Sequence, residues 1–366
     1  MGSLLRPGYL RAARESHTEG EITPGELKAA EDRAVREVVA MQAGVGLPVI
    51  NDGEMRRESF QSELTAACDG FSGVGIDAWL WGDWHSDQVG DASIERPADL
   101  AVVAPLRKRR NLAAEEFTFL RACTEPRTAT RKVTLPSPSL FANLWSPELS
   151  AGAYPSLDAF LADVTGVLID EVRELVRLGC EYIQLDAPHY PLLIDPHWRA
   201  FYEQRGWSLE RWLAAGIELD NAVIDAGRPA TFGFHLCRGN QLSRWLVSGG
   251  YDPIAGPIFS GIKADRLLLE YDDERSGSFG ALRLVPDDKV VVLGLVTTKT
   301  SALEPAATLV ARLRQASELI DAGRLAISPQ CGFATSVAGN AITEEAQRAK
   351  LQLLVQTAAE FFGGQG

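Results

Sequence analysis

Three apolar runs of the chain end in residues able to hold a metal. Thr231-Phe232-Gly233-Phe234-His235-Leu236-Cys237 breaks at Arg238-Gly239-Asn240. Leu267-Leu268-Leu269-Glu270 stops at Tyr271-Asp272-Asp273, and Leu325-Ala326-Ile327-Ser328-Pro329 stops at Gln330-Cys331-Gly332. On a strand, residues i and i+2 share a face, so His235 and Cys237 project together. Imidazole nitrogen, thiolate sulfur and carboxylate oxygen are all zinc ligands. In a parallel α/β fold the C-terminal strand ends share one face, and active sites lie there. His235, Cys237, Glu270 and Cys331 are therefore expected to meet as one site of two sulfurs, one nitrogen and one oxygen. Taken singly, each fits equally well as a core or loop residue, since no CxxC spacing links the cysteines.

Other strand ends carry polar groups. Ser3 follows a first stub, Asp52-Gly53-Glu54 a second strand, Gln184-Leu185-Asp186 ends a fourth, and Thr297-Thr298-Lys299 follows a seventh. Glu54 and Asp186, facing each other across the cup, would hold a substrate ammonium through charge-assisted hydrogen bonds. Either could instead brace a loop, and Asp52-Gly53 is an ordinary turn pair. A free thiol has a pKa of about 8.5 and is little ionised at neutral pH. Zinc coordination removes its proton. Two cysteinates and a glutamate give the ion a negative surrounding, which suits alkyl transfer to sulfur better than hydrolysis.

Eight apolar runs must position these groups: 2–4, 47–51, 132–135, 182–185, 231–235, 267–270, 290–296 and 325–328. Amphipathic stretches at 24–44, 157–179, 209–226 and 305–323 separate them, each closing near a glycine. Strand–helix alternation of this kind predicts a single (β/α)8 TIM barrel over 1–366, with an insertion after strand 2 at about 60–130. The insertion holds Trp79, Trp81 and Trp84, read as a lid or pocket wall, or else as a self-packed insert or dimer contact. Its basic run, Arg107-Lys108-Arg109-Arg110, reads as a solvated helix face.

Composition narrows the partners. A formal charge of −13 argues against nucleic acid or an anionic membrane. No run reaches the ~18–20 apolar residues of a membrane span. Five cysteines are too few for a disulfide scaffold, so Cys68, Cys123 and Cys180 are expected to be buried thiols. With no signal-peptide pattern at residues 1–7, a reducing cytoplasm is the expected location. Small molecules are the expected partners, and a homo-oligomer stays open.

Several separated motifs together resemble the catalytic barrel of cobalamin-independent methionine synthase, in the form of its short single-barrel members. They are Gly2-Ser3-Leu4-Leu5-Arg6-Pro7, Asn51-Asp52-Gly53-Glu54-Met55-Arg56-Arg57, Ile183-Gln184-Leu185-Asp186-Ala187-Pro188, His235-Leu236-Cys237-Arg238-Gly239-Asn240, Leu269-Glu270-Tyr271-Asp272, Gly294-Leu295-Val296-Thr297-Thr298-Lys299 and Pro329-Gln330-Cys331-Gly332. The resemblance implies Zn2+ on His235, Cys237, Glu270 and Cys331. It also implies a homocysteine whose carboxylate lies at Ser3 and whose ammonium lies between Glu54 and Asp186. The expected activity is zinc-dependent S-methyl transfer to the thiol of homocysteine or a similar acceptor, as in methionine biosynthesis. A thiol–epoxide or other alkyl transferase with a non-folate donor is the alternative, and a non-catalytic zinc or thiol-binding protein the third reading. Two motifs depart from the full-length synthases. Asp186-Ala187-Pro188 stands where they have Asp-Glu-Pro, and Thr297-Thr298-Lys299 where they have Asp-x-His. Lys299 is the candidate for proton handling alongside Glu54 and Asp186, provided its pKa is depressed.

Overall fold

The computed structural model describes residues 2–73, 81–125 and 129–363. Seven parallel strands form one sheet in sequential order: β1 (Val49–Ile50), β2 (Thr130–Pro136), β3 (Tyr182–Asp186), β4 (Thr231–Leu236), β5 (Arg266–Glu270), β6 (Val290–Val296) and β7 (Leu325–Pro329). β6 reads Val-Val-Val-Leu-Gly-Leu-Val and is buried over all but its first residue, as a strand covered on both faces should be. The crossover helix Leu157–Arg177 buries Leu157, Phe160, Leu161, Val164, Leu168, Val172 and Leu175, spaced three and four apart. Ser156 caps it, its hydroxyl accepting from the Ala159 amide.

The closed eight-stranded barrel expected from the alternation does not form. The sheet has seven strands and stays open, its edges 10 Å apart. The cause lies at both edges. β1 spans two residues and reaches β2 only at Thr130 and Arg131. The stub at 2–4 makes no ladder. It crosses the gap above the strand ends, where the Leu4 amide donates to the Gly53 carbonyl (3.0 Å) and the Phe333 amide to the Ser3 carbonyl (2.8 Å). Gly53 and Phe333 both lie beyond the C-terminal ends of their strands, so the seam is laced at the rim alone.

Arg6 holds that lacing. Its buried guanidinium donates to the carbonyls of Glu54 (2.8 Å) and Arg57 (3.0 Å) on one rim, Ala334 (2.7 Å) on the other, and Leu4 (3.3 Å) between them. Below the rim, the gap is an apolar crevice lined by Leu47, Leu325, Leu351 and Phe362, with the helix Glu344–Gly363 beside it.

The insertion carries two antiparallel pairs, Cys68–Phe71 with Val102–Lys108 and Gly82–Trp84 with Ala92–Ile94. The basic run closes a strand rather than lining a helix. It is ion-paired throughout: Arg107 and Arg109 with Asp69, Lys108 with Glu171, Arg110 with Glu63. Cys68 and Cys180 are buried free thiols, and Cys123 is half-buried. No helix among the described residues is long and apolar enough to cross a membrane.

Arg6→Leu would remove a donor from four rim carbonyls, of which, among the described residues, Glu54 alone keeps another, the Arg57 amide (3.1 Å). It is expected to cost about 3 kcal/mol of unfolding free energy, read from urea titrations. A loss below about 0.5 kcal/mol, the level of an ordinary surface change, would show that the seam does not depend on it.

Candidate metal centre and substrate cavity

Strand ends β4 and β7 deliver three ligand-type side chains to one point. His235, Cys237 and Cys331 are buried, and their ligand atoms lie within 4.8 Å of one another. This His/Cys/Cys cluster is geometrically able to coordinate a metal ion. The two sulfurs are electrostatically coupled. The hydrogen bond from the Cys237 thiol lowers the Cys331 pKa, and His235 adds to this; the same bond raises Cys237. Burial works against a charged His235, but the Asp186 hydrogen bond and the nearby Cys331 outweigh it and raise the imidazole.

Asp186 takes a part that strand-end reasoning missed. Its Oδ1 meets His235 Nδ1 at 2.8 Å, which leaves Nε2 for the cluster. The same oxygen accepts from Gln184 Nε2 (2.7 Å), and Gln184 Oε1 accepts from Lys132 Nζ (2.7 Å). A carboxylate behind a ligating histidine fixes its tautomer and raises its basicity. The i, i+2 relation of Gln184 and Asp186 on β3 and the pairing of Asp186 with His235 across to β4 set this chain.

Glu270, expected as the fourth ligand, ends β5 beside the cluster with both oxygens engaged. Oε2 accepts from the Arg238 amide (2.6 Å), and Oε1 from Arg275 Nη2 (2.5 Å) and Lys299 Nζ (3.5 Å). Burial opposes its charge, yet Lys299, Arg275 and Arg238 hold it far below the ordinary carboxyl range. Lys299 also pairs with Asp272 (3.2 Å). Burial lowers the ammonium, but Asp272 and Glu270 more than reverse it, so its pKa is raised. That is the opposite of the depression proton donation at neutral pH would need.

Ser3, Glu54 and Asp186 line one cavity with His235, Cys237 and Cys331. Glu54 is 2% exposed and adopts φ 56°, a left-handed conformation that costs a non-glycine residue on the order of 1 kcal/mol. Its Oε1 accepts from Thr134 (2.7 Å), while Oε2 is buried without a protein partner. Burial raises its pKa. The backbone passes very close here. A Cβ on Gly2 would stand 2.2 Å from Glu54 Oε1, and one on Gly332 would stand 2.0 Å from the Ser3 hydroxyl.

The far wall is aromatic. Trp81 stacks on Trp198 (centroids 4.6 Å) and Phe201 (4.8 Å), and Trp84 lines the same cavity. Trp79 lies outside the described residues. Gly82, at φ 125°, lets this segment approach Trp198 and Leu246. His189 also lines the cavity, with its Nε2 against the Ser139 hydroxyl (2.8 Å). Behind it Asp220 Oδ1 lies 2.6 Å from the Ser137 hydroxyl oxygen, and Oδ2 accepts from the Tyr190 hydroxyl (2.8 Å). Sequence reasoning passed over His189, although it is one of only five histidines and follows Asp186 by three residues.

Comparison with known proteins agrees with these motifs. Residues 150–360 match the family described as cobalamin-independent synthase, catalytic domain. The chain is 32% identical to the uncharacterised protein YxjH of Bacillus subtilis (strain 168), over 98% of this chain and 92% of that one. It is 25% identical to a methionine synthase of Saccharolobus solfataricus, over 91% and 86%. Among solved structures, a Listeria monocytogenes protein named as a vitamin-B12-independent methionine synthase superposes with a TM-score of 0.73 at 28% identity, covering 98% and 95%. A B12-independent methionine synthase from Shewanella sp. W3-18-1, solved with selenomethionine, shares the fold at a TM-score of 0.72 and 20% identity, covering 100% and 96%.

Asp186→Asn should weaken metal binding about 10–100-fold in a chelator competition, because the histidine loses its anionic support. An unchanged affinity would deny Asp186 that part. Asp220 should make stability fall with pH. Burial raises its pKa from 3.8 to about 7. Below pH 3.8 both folded and unfolded chains keep the proton. Between there and about 7 the unfolded chain releases it first, so the folded state is progressively penalised, by a constant amount above. Asp220→Asn should therefore gain stability relative to the parent as pH rises from 4 to 7 in parallel urea titrations; parallel curves would refute this.

Proposed function

The chain belongs to the family of cobalamin-independent methionine synthase catalytic domains, and on that premise we propose that it is a zinc-dependent transferase that moves a methyl group onto the thiol of homocysteine or a similar acceptor. One observation carries the reading. Two thiols and an imidazole, the last braced by Asp186, converge in a cavity that also holds an unpartnered buried carboxylate oxygen, Glu54 Oε2.

The donor set fits zinc: two soft sulfurs and a nitrogen are three of the four ligands a tetrahedral ion takes. His235, Cys237 and Cys331 would hold the ion, which when bound supplies a deprotonated, nucleophilic acceptor thiol. Glu270 is the candidate for the fourth position in the absence of a thiol. Lys299 and Arg275 hold it in reserve, which is a positioning role for Lys299 in place of proton donation. Glu54 would receive the acceptor's ammonium on its free oxygen, and Asp186 would share that task while orienting His235. Ser3, in the close-packed turn against Gly332, would set the carboxylate end.

The test is direct. Protein purified without chelators should carry one zinc per chain, lost on Cys331→Ser. Homocysteine should bind the zinc form, and Glu54→Gln should weaken it about tenfold or more, a difference of about 1.4 kcal/mol or above. Calorimetric affinity for homocysteine unchanged by Glu54→Gln would overturn the amino-acid acceptor. Zinc-loaded protein that binds thiols but turns over none of methylfolate, methylcobalamin or epoxide donors would overturn the transferase.

A further inference from the structure

The aromatic half of the cavity contains two buried polar atoms without partners. One is His189 Nδ1 and the other Asn143 Oδ1. His189 is 1% exposed and packed against Tyr190 (4.4 Å) and Trp212 (5.2 Å), so its ring is fixed. A buried donor left unsatisfied costs roughly 1–3 kcal/mol, and such a group at the wall of a cavity points to a ligand that satisfies it.

The hydrogen-bond chain behind the ring determines what Nδ1 offers. Ser137 Oγ and Asp220 Oδ1 are 2.6 Å apart, Ser137 and Ser139 Oγ 3.1 Å, and Ser139 Oγ and His189 Nε2 2.8 Å. Tyr190 donates to the other Asp220 oxygen at 2.8 Å. When Asp220 carries its proton on Oδ1 and donates to Ser137, Ser137 donates to Ser139 and Ser139 to Nε2, so the neutral imidazole carries its hydrogen on Nδ1. The chain comes from three segments: Ser137 and Ser139 after β2, His189 after β3, and Asp220 on the helix Ile217–Ala226. Tyr190 is the titratable side chain hydrogen-bonded to Asp220 among the described residues, and no ion pair reaches either Asp220 or His189 among them.

We propose that His189 is the catalytic proton donor to the atom that leaves the alkyl donor, fed through Ser139 and Ser137 from the Asp220 carboxyl. This rests on the alkyl-transfer reading and adds to it the class of donor. The acceptor sulfur forms a bond to carbon as the bond from carbon to the leaving nitrogen or oxygen breaks. The leaving atom takes the electron pair and the Nδ1 proton. The Ser139 proton moves to Nε2, that of Ser137 to Ser139, and that of Asp220 to Ser137. The carboxylate left behind is held by the Tyr190 and Ser137 hydroxyls. Burial supports both ends of this wire: it keeps His189 neutral, with a pKa pushed down to about 3, and keeps Asp220 protonated up to about 7. The donor is further specified by its surroundings. No lysine or arginine lines the cavity among the described residues, so a phosphate- or polycarboxylate-bearing donor would meet no counter-ion. Trp81, Trp84 and Leu246 present an apolar wall instead. The class is a compact, uncharged N- or O-alkyl compound, strained ethers included.

Two probe donors separate the proton step from thiol attack. Propylene oxide releases an alkoxide that needs a proton, and methyl iodide releases iodide, which does not. Zinc-loaded enzyme with homocysteine is assayed with each, above the uncatalysed background. His189→Gln keeps an amide for Ser139 but offers no Nδ1 hydrogen; Ser139→Ala leaves the ring and cuts the wire. Both should lower the ratio of the propylene oxide rate to the methyl iodide rate by about 100-fold or more. Both rates falling together, with the ratio kept, would overturn the proposal, since His189 would then only shape the cavity. Parent enzyme that alkylates homocysteine with neither probe would sink the transferase reading instead. The nitrogen-15 spectrum of the His189 imidazole then decides on its own: an Nδ1–H neutral tautomer between pH 5 and 6, where Asp220 keeps its proton, is expected, and an Nε2–H tautomer there overturns the relay.

Discussion

Two thiols and a carboxylate share one buried space at the ends of β4, β5 and β7, and unbalanced negative charge there would be intolerable in a low-dielectric interior. The architecture of the mouth follows from how that charge is countered. Arg275 and Lys299 hold Glu270, the Arg238 amide takes its other oxygen, and the imidazole of His235 stands by Cys331. The countering groups come from turns after three different strands. Those turns are tied to one another by hydrogen bonds across the rim. Asn340 donates to Asn240 Oδ1 (2.9 Å) and to the Thr298 carbonyl (2.8 Å), and Asn240 donates to the Gly332 carbonyl (2.7 Å). This small amide network ties the Cys237 turn to the Cys331 turn without adding any charge.

The open seam fits the same logic. A closed barrel would bring an eighth strand through the gap, with side chains alternating into the interior. Here only a short extended segment crosses at the rim, and it does so with glycine and serine, small enough to pass against Glu54 and Gly332. Arg6 ties this crossing to both rims by donating to carbonyls on each side.

Much of this was legible in the sequence where one residue type at a strand end carries the signal. Seven of the eight expected strands form, and His235, Cys237 and Cys331 meet as their positions implied. The eighth strand failed because a three-residue apolar stub does not reveal whether it will find a ladder on both sides, and β1 is too short to supply one. The second-layer roles were hidden for a different reason. Asp186 turning toward His235, Arg275 reaching Glu270 from five residues on, and Ser137 linking to Asp220 across 83 positions depend on rotamers and register that no spacing rule encodes. The aromatic residues of the insertion were visible as a cluster. That Trp81 would meet Trp198 was not, because the partner lies on a distant helix.

The insertion strand Gly82–Trp84 meets the rest of the molecule where the His85 and Trp245 backbones exchange two hydrogen bonds (2.8 and 2.9 Å), Arg244 donates to the Gly90 carbonyl (2.7 Å), and Trp81 packs on Trp198. The His235, Cys237 and Cys331 cluster sits at the strand ends of the sheet itself. The aromatic wall of the cavity and the His/Cys/Cys cluster thus belong to different parts of the chain, so substitutions at Trp81 or Trp84 can reshape one side of the cavity while His235, Cys237 and Cys331 keep their places.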